Sequence, residues 1–391
     1  MNKVEELIQQ LCPNGVEYKK LGDIAVDIFR GSGIKREEVT ETGTPCVRYG
    51  EIYTTYDVWF DTCISHTDAS KIASAKYFEY GDILFVITGE SVKDIAKCCA
   101  YVGHERCLAG GDIVVLRHNQ DPKYLSYALS TTDAQQQKSK GKVKSKVVHS
   151  SVPAIKELVV PVPPLEIQRE IVRILDNFTE LTAELTAELT ARKKQYEYYR
   201  NAILHGSSIC DFREYKLGDV ANIHTGCKPN EILEEYSEFE YINAGTTNSG
   251  YAKNSNCPGD TVTTPSRGQG GIGFVGYQSR PFHLGPLCYS IRSENENIII
   301  NKFIYYWLSS HTNDILAFKK EGGTPALNRT DLTGLKIYVP EISAQKKIVE
   351  ILDRFDALCN DLTSGLPAEI AARQKQYEYY RDKLLTFKPL A

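Results

Sequence analysis

A long-range duplication limits what this chain can fold into more than any other feature. The segment Ile-Val-Arg-Ile-Leu-Asp at 171–176 returns as Ile-Val-Glu-Ile-Leu-Asp at 348–353. Further on, Gln-Tyr-Glu-Tyr-Tyr-Arg at 195–200 returns unchanged at 376–381. The interval between these landmarks is about four residues longer in the second copy, close to one turn of α-helix. We therefore expect two modules, each followed by one copy of the same long helix.

The two modules resemble each other at their edges and differ in between. The matching edges are 18–25 with 215–221, Gly81-Asp82 with Gly259-Asp260, and 159–163 with 336–340. A shared frame around different interiors is typical of two modules that recognise different targets. Neutral divergence after duplication is the alternative, but it would be expected to blur the edges as well.

Both repeated helices carry an apolar stripe with spacings of three and four, the pattern of a coiled-coil seam. The residues that we single out for packing and partner docking are Leu175, Phe178, Leu185, Leu189, Tyr196, Tyr199, Leu352, Phe355, Leu362, Tyr377 and Tyr380. Read as one helix, 167–204 would extend roughly 55 Å at about 1.5 Å per residue. A helix of that length needs a partner surface, and the simplest one is its own duplicate, packed antiparallel.

The middle of the two helices differs. The first repeats Thr-Ala-Glu-Leu at 182–185 and 186–189, and both tetrads are compatible with helix. The second has Ser-Gly-Leu-Pro at 364–367, where glycine and proline predict a break, with Pro367 in the first turn of a new helix. We expect one straight rod and one jointed rod.

The modules themselves predict an α+β fold that is largely β. Expected strands are 77–87, 113–117, 260–264, 272–277 and 287–292, and expected helices are 124–129 and 302–309. The predicted division of the chain is a first module at 1–160, a first helix at 161–208, a second module at 209–338 and a second helix at 339–391.

Charge is unevenly distributed, although the formal net charge is only -4. One region without acidic residues holds Lys138, Lys140, Lys142, Lys144 and Lys146. A second lies between Asp260 and Glu294 and contains the candidates Thr264, Ser266, Arg267, Gln269, Gly270, Tyr277 and Gln278. Lysine runs often belong to solvated loops, but arginine and glutamine can also reach base edges. The pair of regions favours contact with DNA.

The sequence patterns do not support a known catalytic motif. Gly268-x-Gly270-x-x-Gly273 has the letters of a dinucleotide fingerprint, but the residues after it read as strand rather than helix. Asp82, Glu90 and Lys93 form a poor nuclease pattern, and neither a Walker A lysine nor His-Glu-x-x-His occurs. The 11 cysteines without a Cys-x-x-Cys pair, and the lack of a long apolar segment, predict reduced thiols in a cytoplasmic protein away from membranes.

The repeated helix starts, the Thr-Ala-Glu-Leu tetrads and the tyrosine-rich helix ends resemble the specificity subunit (HsdS) of type I restriction–modification systems, and its IC branch most closely. The resemblance covers the whole chain. It implies two target recognition domains separated by two long antiparallel coiled-coil helices with pseudo-two-fold symmetry. The helices would map to 165–204 and 342–385, and Thr88, Gly89, Glu90 and Lys93 would join the DNA-contact candidates, with the stretch 88–90 at the place that matches 266–268.

The same resemblance implies a non-catalytic subunit that reads a bipartite site on double-stranded DNA. Two methyltransferase subunits (HsdM) and restriction subunits (HsdR) would be its partners, and S-adenosylmethionine, ATP and Mg²⁺ would be bound by those partners. Two alternatives stay open: a scaffold that joins two ligand-binding modules without DNA, and an enzyme with an unrecognised site.

Overall fold

The computed structural model describes residues 3–89, 91–92, 94–140, 148–205, 212–268, 270–320 and 325–390. The chain forms two compact units. Unit 1 comprises Met1–Glu184 and Ile370–Ala391, and unit 2 comprises Leu185–Glu369. Each unit thus contains one module and a part of each repeated helix. In the described ranges, no helix is both long and apolar enough to cross a membrane.

Unit 1 is a β-rich module with short helices around it. Its helices are α1 (Lys3–Leu11), α2 (Leu21–Ile24), α3 (Tyr49–Thr54), α4 (Pro122–Leu129), α5 (Thr132–Ser139) and α6 (Val152–Lys156). Its strands are β1 (Tyr18–Lys20), β2 (Ala25–Arg30), β3 (Val39–Thr40), β4 (Thr44–Val47), β5 (Trp59–Phe60), β6 (Ser65–Thr67), β7 (Tyr77–Phe78), β8 (Ile83–Val86), β9 (Thr88–Gly89), β10 (Cys98–Tyr101), β11 (Cys107–Ala109), β12 (Ile113–His118), β13 (Val148–His149) and β14 (Val159–Pro161).

Two five-stranded sheets form the body of unit 1. Their orders are β2-β12-β8-β10-β5 and β3-β6-β4-β11-β7. All four residues of β8 are buried, because this central strand is covered on both faces. A separate antiparallel pair, β1 with β14, brings the start of the module next to its end.

The first repeated helix is α7 (Leu165–His205), a single helix of 41 residues. It begins directly after Pro163 and Pro164, as predicted from the poor fit of proline in a helix interior. The boundary between the two units falls inside it, so its first half belongs to unit 1 and its second half to unit 2.

Unit 2 is a second β-rich module. Its short helices are α8 (Leu217–Val220), α9 (Asn301–Ser310), α10 (Thr312–Ala317) and α11 (Arg329–Thr333). Its strands are β15 (Arg213–Lys216), β16 (Ala221–Thr225), β17 (Phe239–Ile242), β18 (Tyr251–Ala252), β19 (Thr261–Pro265), β20 (Gly276–Gln278), β21 (His283–Leu284), β22 (Cys288–Ser293) and β23 (Lys336–Val339).

The two modules share a topology although their interiors share almost no sequence. The order β16-β22-β19-β20 in unit 2 repeats β2-β12-β8-β10 in unit 1, with antiparallel neighbours throughout. The parallel pair of β4 and β11 is matched by β17 and β21. The duplication inferred from the helices therefore extends through both modules.

The second repeated helix is jointed, as predicted. It consists of α12 (Ile342–Asn360) and α13 (Leu366–Leu384), each with 19 residues. In the joint, the Asp361 carboxylate accepts a hydrogen bond from the Thr363 backbone at 2.7 Å. A side chain on Gly365 would collide with the carbonyl oxygen of Ala357, so this glycine permits the tight connection.

Within each unit, the start of one repeated helix packs against the end of the other. In unit 1, Phe178 of α7 stacks on Tyr380 of α13 with ring centroids 5.5 Å apart. In unit 2, Phe355 of α12 stacks on Tyr196 of α7 at 6.2 Å. Contact of start with end is the antiparallel packing that the apolar stripes predict.

Unit 1 is completed by the last segment of the chain. The Tyr18 hydroxyl donates to the carbonyl oxygen of Phe387 at 3.1 Å, and Val16 forms a parallel bridge with Pro389. Leu385 and Phe387 are buried in the same apolar core as the first strands. Both ends of the described chain thus contribute to one unit.

Two predicted strands are wrong in extent, while the other predicted strands and helices of the modules are confirmed. Residues 77–87 form two strands in different sheets, β7 and β8, separated by Gly81 at a φ of 92°. In 272–277 only the end is strand, because 270–273 form a turn with Gly273 at a φ of 94°. In both places a left-handed glycine ends the extended backbone.

Candidate functional site

A short two-stranded ribbon extends from the main sheet of unit 1. It is formed by β9 and β13, in which Thr88 faces His149. The Ser150 backbone N–H donates to the carbonyl oxygen of Ile87 at 2.8 Å, just before the paired residues. This ribbon places Thr88 and Gly89 directly after the buried strand β8.

Unit 2 has an equivalent ribbon, with Arg267 bridged to Ala326. The Leu327 N–H donates to the carbonyl oxygen of Ser266 at 2.9 Å. By this bond Ser266 matches Ile87 of unit 1, and Arg267 therefore matches Thr88. The two stretches that the sequence matched, 88–90 and 266–268, thus begin in equivalent ribbons with an offset of one residue, because β19 has five residues and β8 has four.

The ribbon of unit 1 is tied to α3 through Tyr53. The Tyr53 hydroxyl donates to the carbonyl oxygen of Thr88 at 3.3 Å, and burial raises the pKa of Tyr53 to about 12. A Cβ at Gly89 would lie 2.5 Å from the same hydroxyl. A side chain at position 89 would therefore have to displace the Tyr53 hydroxyl. The Thr88 hydroxyl lies 3.4 Å from His149 Nδ1.

The described lysines that follow α4 differ in placement. Lys140 is exposed, as a phosphate contact requires. Lys138 is buried, and its ammonium donates to the Leu129 carbonyl oxygen at the end of α4, at 2.8 Å. That position satisfies a free helix carbonyl, so the structure gives no support to Lys138 as a DNA contact.

In unit 2, Arg267 and Gly270 are exposed, whereas Thr264 is fully buried. The Thr264 hydroxyl donates inward, to the carbonyl oxygen of Phe274 at 2.9 Å. Ser266 is also buried. The structure gives no support to Thr264 and Ser266 as DNA contacts, because both side chains lie inside the unit.

Tyr277 and Gln278 lie on β20 and are half-buried. The Tyr277 hydroxyl donates to the Asp260 carboxylate, and the Lys302 ammonium lies 4.1 Å from its ring centroid. The six remaining candidates lie outside the described residues: Glu90, Lys93, Lys142, Lys144, Lys146 and Gln269.

Two further lysines occupy the corresponding place in unit 2 and were missed in the sequence. Lys319 and Lys320 follow α10, as Lys140 follows α5. Lys320 pairs with Asp331 at 3.3 Å, and its side chain is 62% exposed. A run of only two lysines gave little signal, and the match emerges only once the helices are aligned.

A buried glutamine mounts each module on its repeated helix. In unit 1, Gln168 accepts from the N–H of Asp121, the N-cap of α4, at 2.9 Å. In unit 2, Gln345 accepts from the N–H of Ile300, the N-cap of α9, at 3.0 Å. Both glutamines are fully buried, so each fixes its module to the first turn of one of the repeated helices.

The aspartate of the Ile-Val-x-Ile-Leu-Asp segment forms a second duplicated contact. Asp176 accepts from the Tyr127 hydroxyl and pairs with Lys123, both at 2.8 Å. Asp353 likewise accepts from the Tyr306 hydroxyl. Its pair with Lys302 is 3.3 Å long. The repeated aspartate thus binds each module to its own repeated helix.

The stripe residues of the repeated helices are mostly buried or half-buried, with Leu175, Tyr196, Leu352 and Tyr377 innermost. Leu362 departs from the prediction: it lies in the joint and is 80% exposed. Because the joint interrupts the helical period, this leucine cannot continue the stripe. Phe178, Phe355, Tyr199 and Tyr380 lie at the aromatic contacts between helices; Leu185 and Leu189 are half-buried.

The tyrosine-rich ends also present a face that is repeated on the surface. Tyr198 and Tyr379 are 69% and 61% exposed. Glu197 and Glu378 are exposed as well. Packing within the units does not explain why these side chains are identical in both copies.

Metal ligands do not define a site in the described ranges. No group of three or more His, Cys, Asp or Glu residues there could hold a metal ion. The described cysteines are free, and burial raises the pKa of Cys46 to about 12. Asp82 accepts from the Glu79 N–H at 3.0 Å, and burial raises its pKa to about 6. Cys46 and Asp82 are therefore part of the buried interior of unit 1.

A family model described as the type I restriction modification DNA specificity domain matches residues 13–192 and 210–372. The chain belongs to this family. Two matches in one chain confirm the internal duplication, and the family is the one that the repeated helices resemble.

Relatives of this family align with different shares of their length. The EcoR124I/EcoR124II specificity subunit of Escherichia coli is 36% identical over 260 residues, which are 58% of this chain and 61% of that protein. The putative type I specificity subunit S.MpnORF89P of Mycoplasma pneumoniae is 31% identical over 311 residues, 71% of this chain and 85% of that protein. The chain thus spans less than two thirds of the E. coli subunit.

Two solved structures share the fold. A type I restriction-modification S subunit from M. genitalium superposes with a TM-score of 0.61 at 19% identity, covering 95% of this chain and 96% of that chain. A chain from a study of complex assembly and conformational transition in a type I system gives 0.62 at 16% identity, covering 96% and 98%. The expected α+β architecture, with two β-rich modules and packed long helices, is confirmed.

Proposed function

We propose that this chain is the DNA sequence-specificity subunit of a type I restriction–modification system and that each unit reads one half of a bipartite target. The observation that supports this proposal is that identical contacts hold the two modules on their helices, whereas the residues of the two ribbons differ. Gln168 and Gln345 are identical in place and contacts, whereas Thr88 in one ribbon is matched by Arg267 in the other. Arginine can bind guanine with two hydrogen bonds, and threonine cannot.

The repeated face around Tyr198 and Tyr379 supports docking of two methyltransferase subunits, one on each copy, and restriction subunits would join that assembly. S-adenosylmethionine, ATP and Mg²⁺ would be bound by these partners. The tetrads at 182–189 and the tyrosine-rich ends support assignment of the chain to the IC-like branch of the family. A cytoplasmic location follows from binding DNA together with these subunits.

The test is sequencing of methylated sites in cells that hold the chain and its methyltransferase subunit. Arg267→Ala should weaken or relax one half-site only, by about 1–3 kcal/mol, the value of one bidentate base contact. Thr88→Ala is the matched variant in unit 1 and should leave the half-site read by unit 2 intact. Equal losses at both halves would instead assign Arg267 to phosphate binding or folding. Absence of salt-dependent DNA binding would favour a scaffold.

A further inference from the structure

Unit 2 has an open apolar groove at the start of α12. Its volume is about 950 Å³, and its lining includes Ile203, Ile298, Ile348 and Ile351. Ile298 and Ile351 are 39% and 44% exposed. Two exposed isoleucines at the edge of one groove are typical of a place where another molecule binds.

The corresponding place in unit 1 is filled by α1. This nine-residue helix buries Val4 in the same apolar cluster as Ile171, the counterpart of Ile348. The Lys3 ammonium pairs with Glu170 of α7 at 3.2 Å. Ile174, the counterpart of Ile351, is consequently half-buried. The groove is therefore suited to an amphipathic helix.

Unit 2 cannot supply such a helix from the matching part of the chain. In unit 1, α1 precedes β1, whereas in unit 2 α7 ends at His205 and β15 begins at Arg213. The residues between them are fewer than the nine of α1. The helix that fits this groove must come from elsewhere.

The charges beside the groove are reversed relative to unit 1. Lys347 stands where unit 1 has Glu170, and by the register of β1 and β15 Arg213 stands where unit 1 has Glu17. Both cationic residues line the groove, with Glu341 as the acidic residue among the lining groups. A helix with a lysine at the position of Lys3 would face Lys347, and like charges repel.

We propose that this groove binds an amphipathic helix of a partner protein, with an acidic side chain at the position that Lys3 has in α1. The reversed charges disfavour α1 of a second copy as the occupant. Under the proposed function, which this step assumes, the helix belongs to the methyltransferase subunit. Unit 1 carries its own α1 in the equivalent place, so the two units would differ in how they engage partners.

A charge exchange with peptides tests the groove without any partner. The probes are a capped peptide of residues 3–11 and the same peptide with Lys3→Glu, and their binding to the full chain is measured by fluorescence anisotropy. The Lys3→Glu peptide should bind the natural chain roughly two- to fivefold more tightly, as expected for an exposed ion pair. The chain variant Lys347→Glu should reverse this order.

Ile351→Asp should abolish binding of both peptides, whereas Arg354→Ala on an exposed part of α12 should leave it unchanged. Tighter binding of the unmodified peptide to the natural chain would overturn the proposal and favour a second copy. Equal binding of both peptides to the natural chain and to Lys347→Glu would also overturn it.

The assembled complex gives the second measurement. Native mass spectrometry of the chain co-expressed with its methyltransferase subunit should show, for Ile351→Asp, an at least tenfold smaller share of the complex that holds two copies of that subunit. If the natural chain neither retains the subunit nor binds DNA, the proposed function fails. If it does both and Ile351→Asp retains the subunit equally well, only the groove proposal fails.

Discussion

Gln345 provides a direct test of how a recognition module is held on its helix. The side chain accepts from the Ile300 N–H at 3.0 Å and donates to the carbonyl oxygens of Ile298 and Pro340 at 2.8 and 2.7 Å. Gln345→Met keeps the length of the side chain and removes all three bonds. Each unpaired buried polar group costs about 1–3 kcal/mol. We expect the free energy of unfolding of unit 2 to fall by roughly 3–6 kcal/mol, allowing for partial relaxation.

The equivalent change in unit 1 should cost less. Gln168 also makes three such bonds, but one joins it to the side chain of Gln120 at 2.8 Å. Gln120 is half-buried and can turn towards water, which leaves two backbone groups unpaired. Gln168→Met should therefore cost roughly 2–4 kcal/mol.

Hydrogen exchange measured by mass spectrometry across a urea series separates the two units, because each peptide reports on its own unit. Gln374→Met is the control: this exposed glutamine of α13 donates only to Glu378, at 3.0 Å. It should change stability by less than about 0.5 kcal/mol. If Gln345→Met lowers the stability of unit 2 no more than this control lowers that of unit 1, the buried bonds do not hold the module, and the reasoning is refuted.

Two further predictions concern the length of α7 and the response to acid. Deleting 182–185 shortens the helix by about 6 Å. The deletion should shorten the stretch of unread base pairs between the two half-sites by up to about two base pairs, at roughly 3.4 Å each. Methylation sequencing should show both half-sites unchanged, and altered half-sites with an unchanged spacing would contradict the proposed role of α7. Burial lowers the pKa of His118 to about 4, below its unfolded value of about 6.5. The folded state then binds fewer protons, so the stability of unit 1 should fall as pH drops from about 6.5 to 4. His118→Gln should remove that part of the pH dependence in urea unfolding, and an unchanged slope would exclude His118 as its source.

The repeated helices were predictable because their signals are local. Apolar spacing defines α7 within a few residues, and Gly365 with Pro367 marks the joint between α12 and α13. The left-handed conformation of Gly81 was not visible in the apolar pattern, so the strand predicted at 77–87 was too long. Its two halves pair with partners far away in the chain.

The candidate site was predictable in outline and less so in detail. The Gly-Asp landmarks and the absence of acidic residues selected the segments that contain the two ribbons, because both are properties of the sequence. The inward turn of Lys138 depends on where α5 packs, and the match of Arg267 with Thr88 depends on strand register. A one-residue error in register changes which side chain faces outward, so tertiary structure is needed to choose the residues.

The division of the chain into units also sets an order for its synthesis. Unit 2 is continuous, Leu185–Glu369, whereas unit 1 needs Ile370–Ala391 together with the first module. A ribosome therefore synthesises every residue of unit 2 before it makes the segment that completes unit 1. The first module must wait with the apolar surface beneath Leu385 and Phe387 uncovered, a state in which nascent chains are prone to aggregate. Although both units derive from one duplicated unit, we therefore expect unit 2 to finish folding before unit 1, the reverse of their order in the gene.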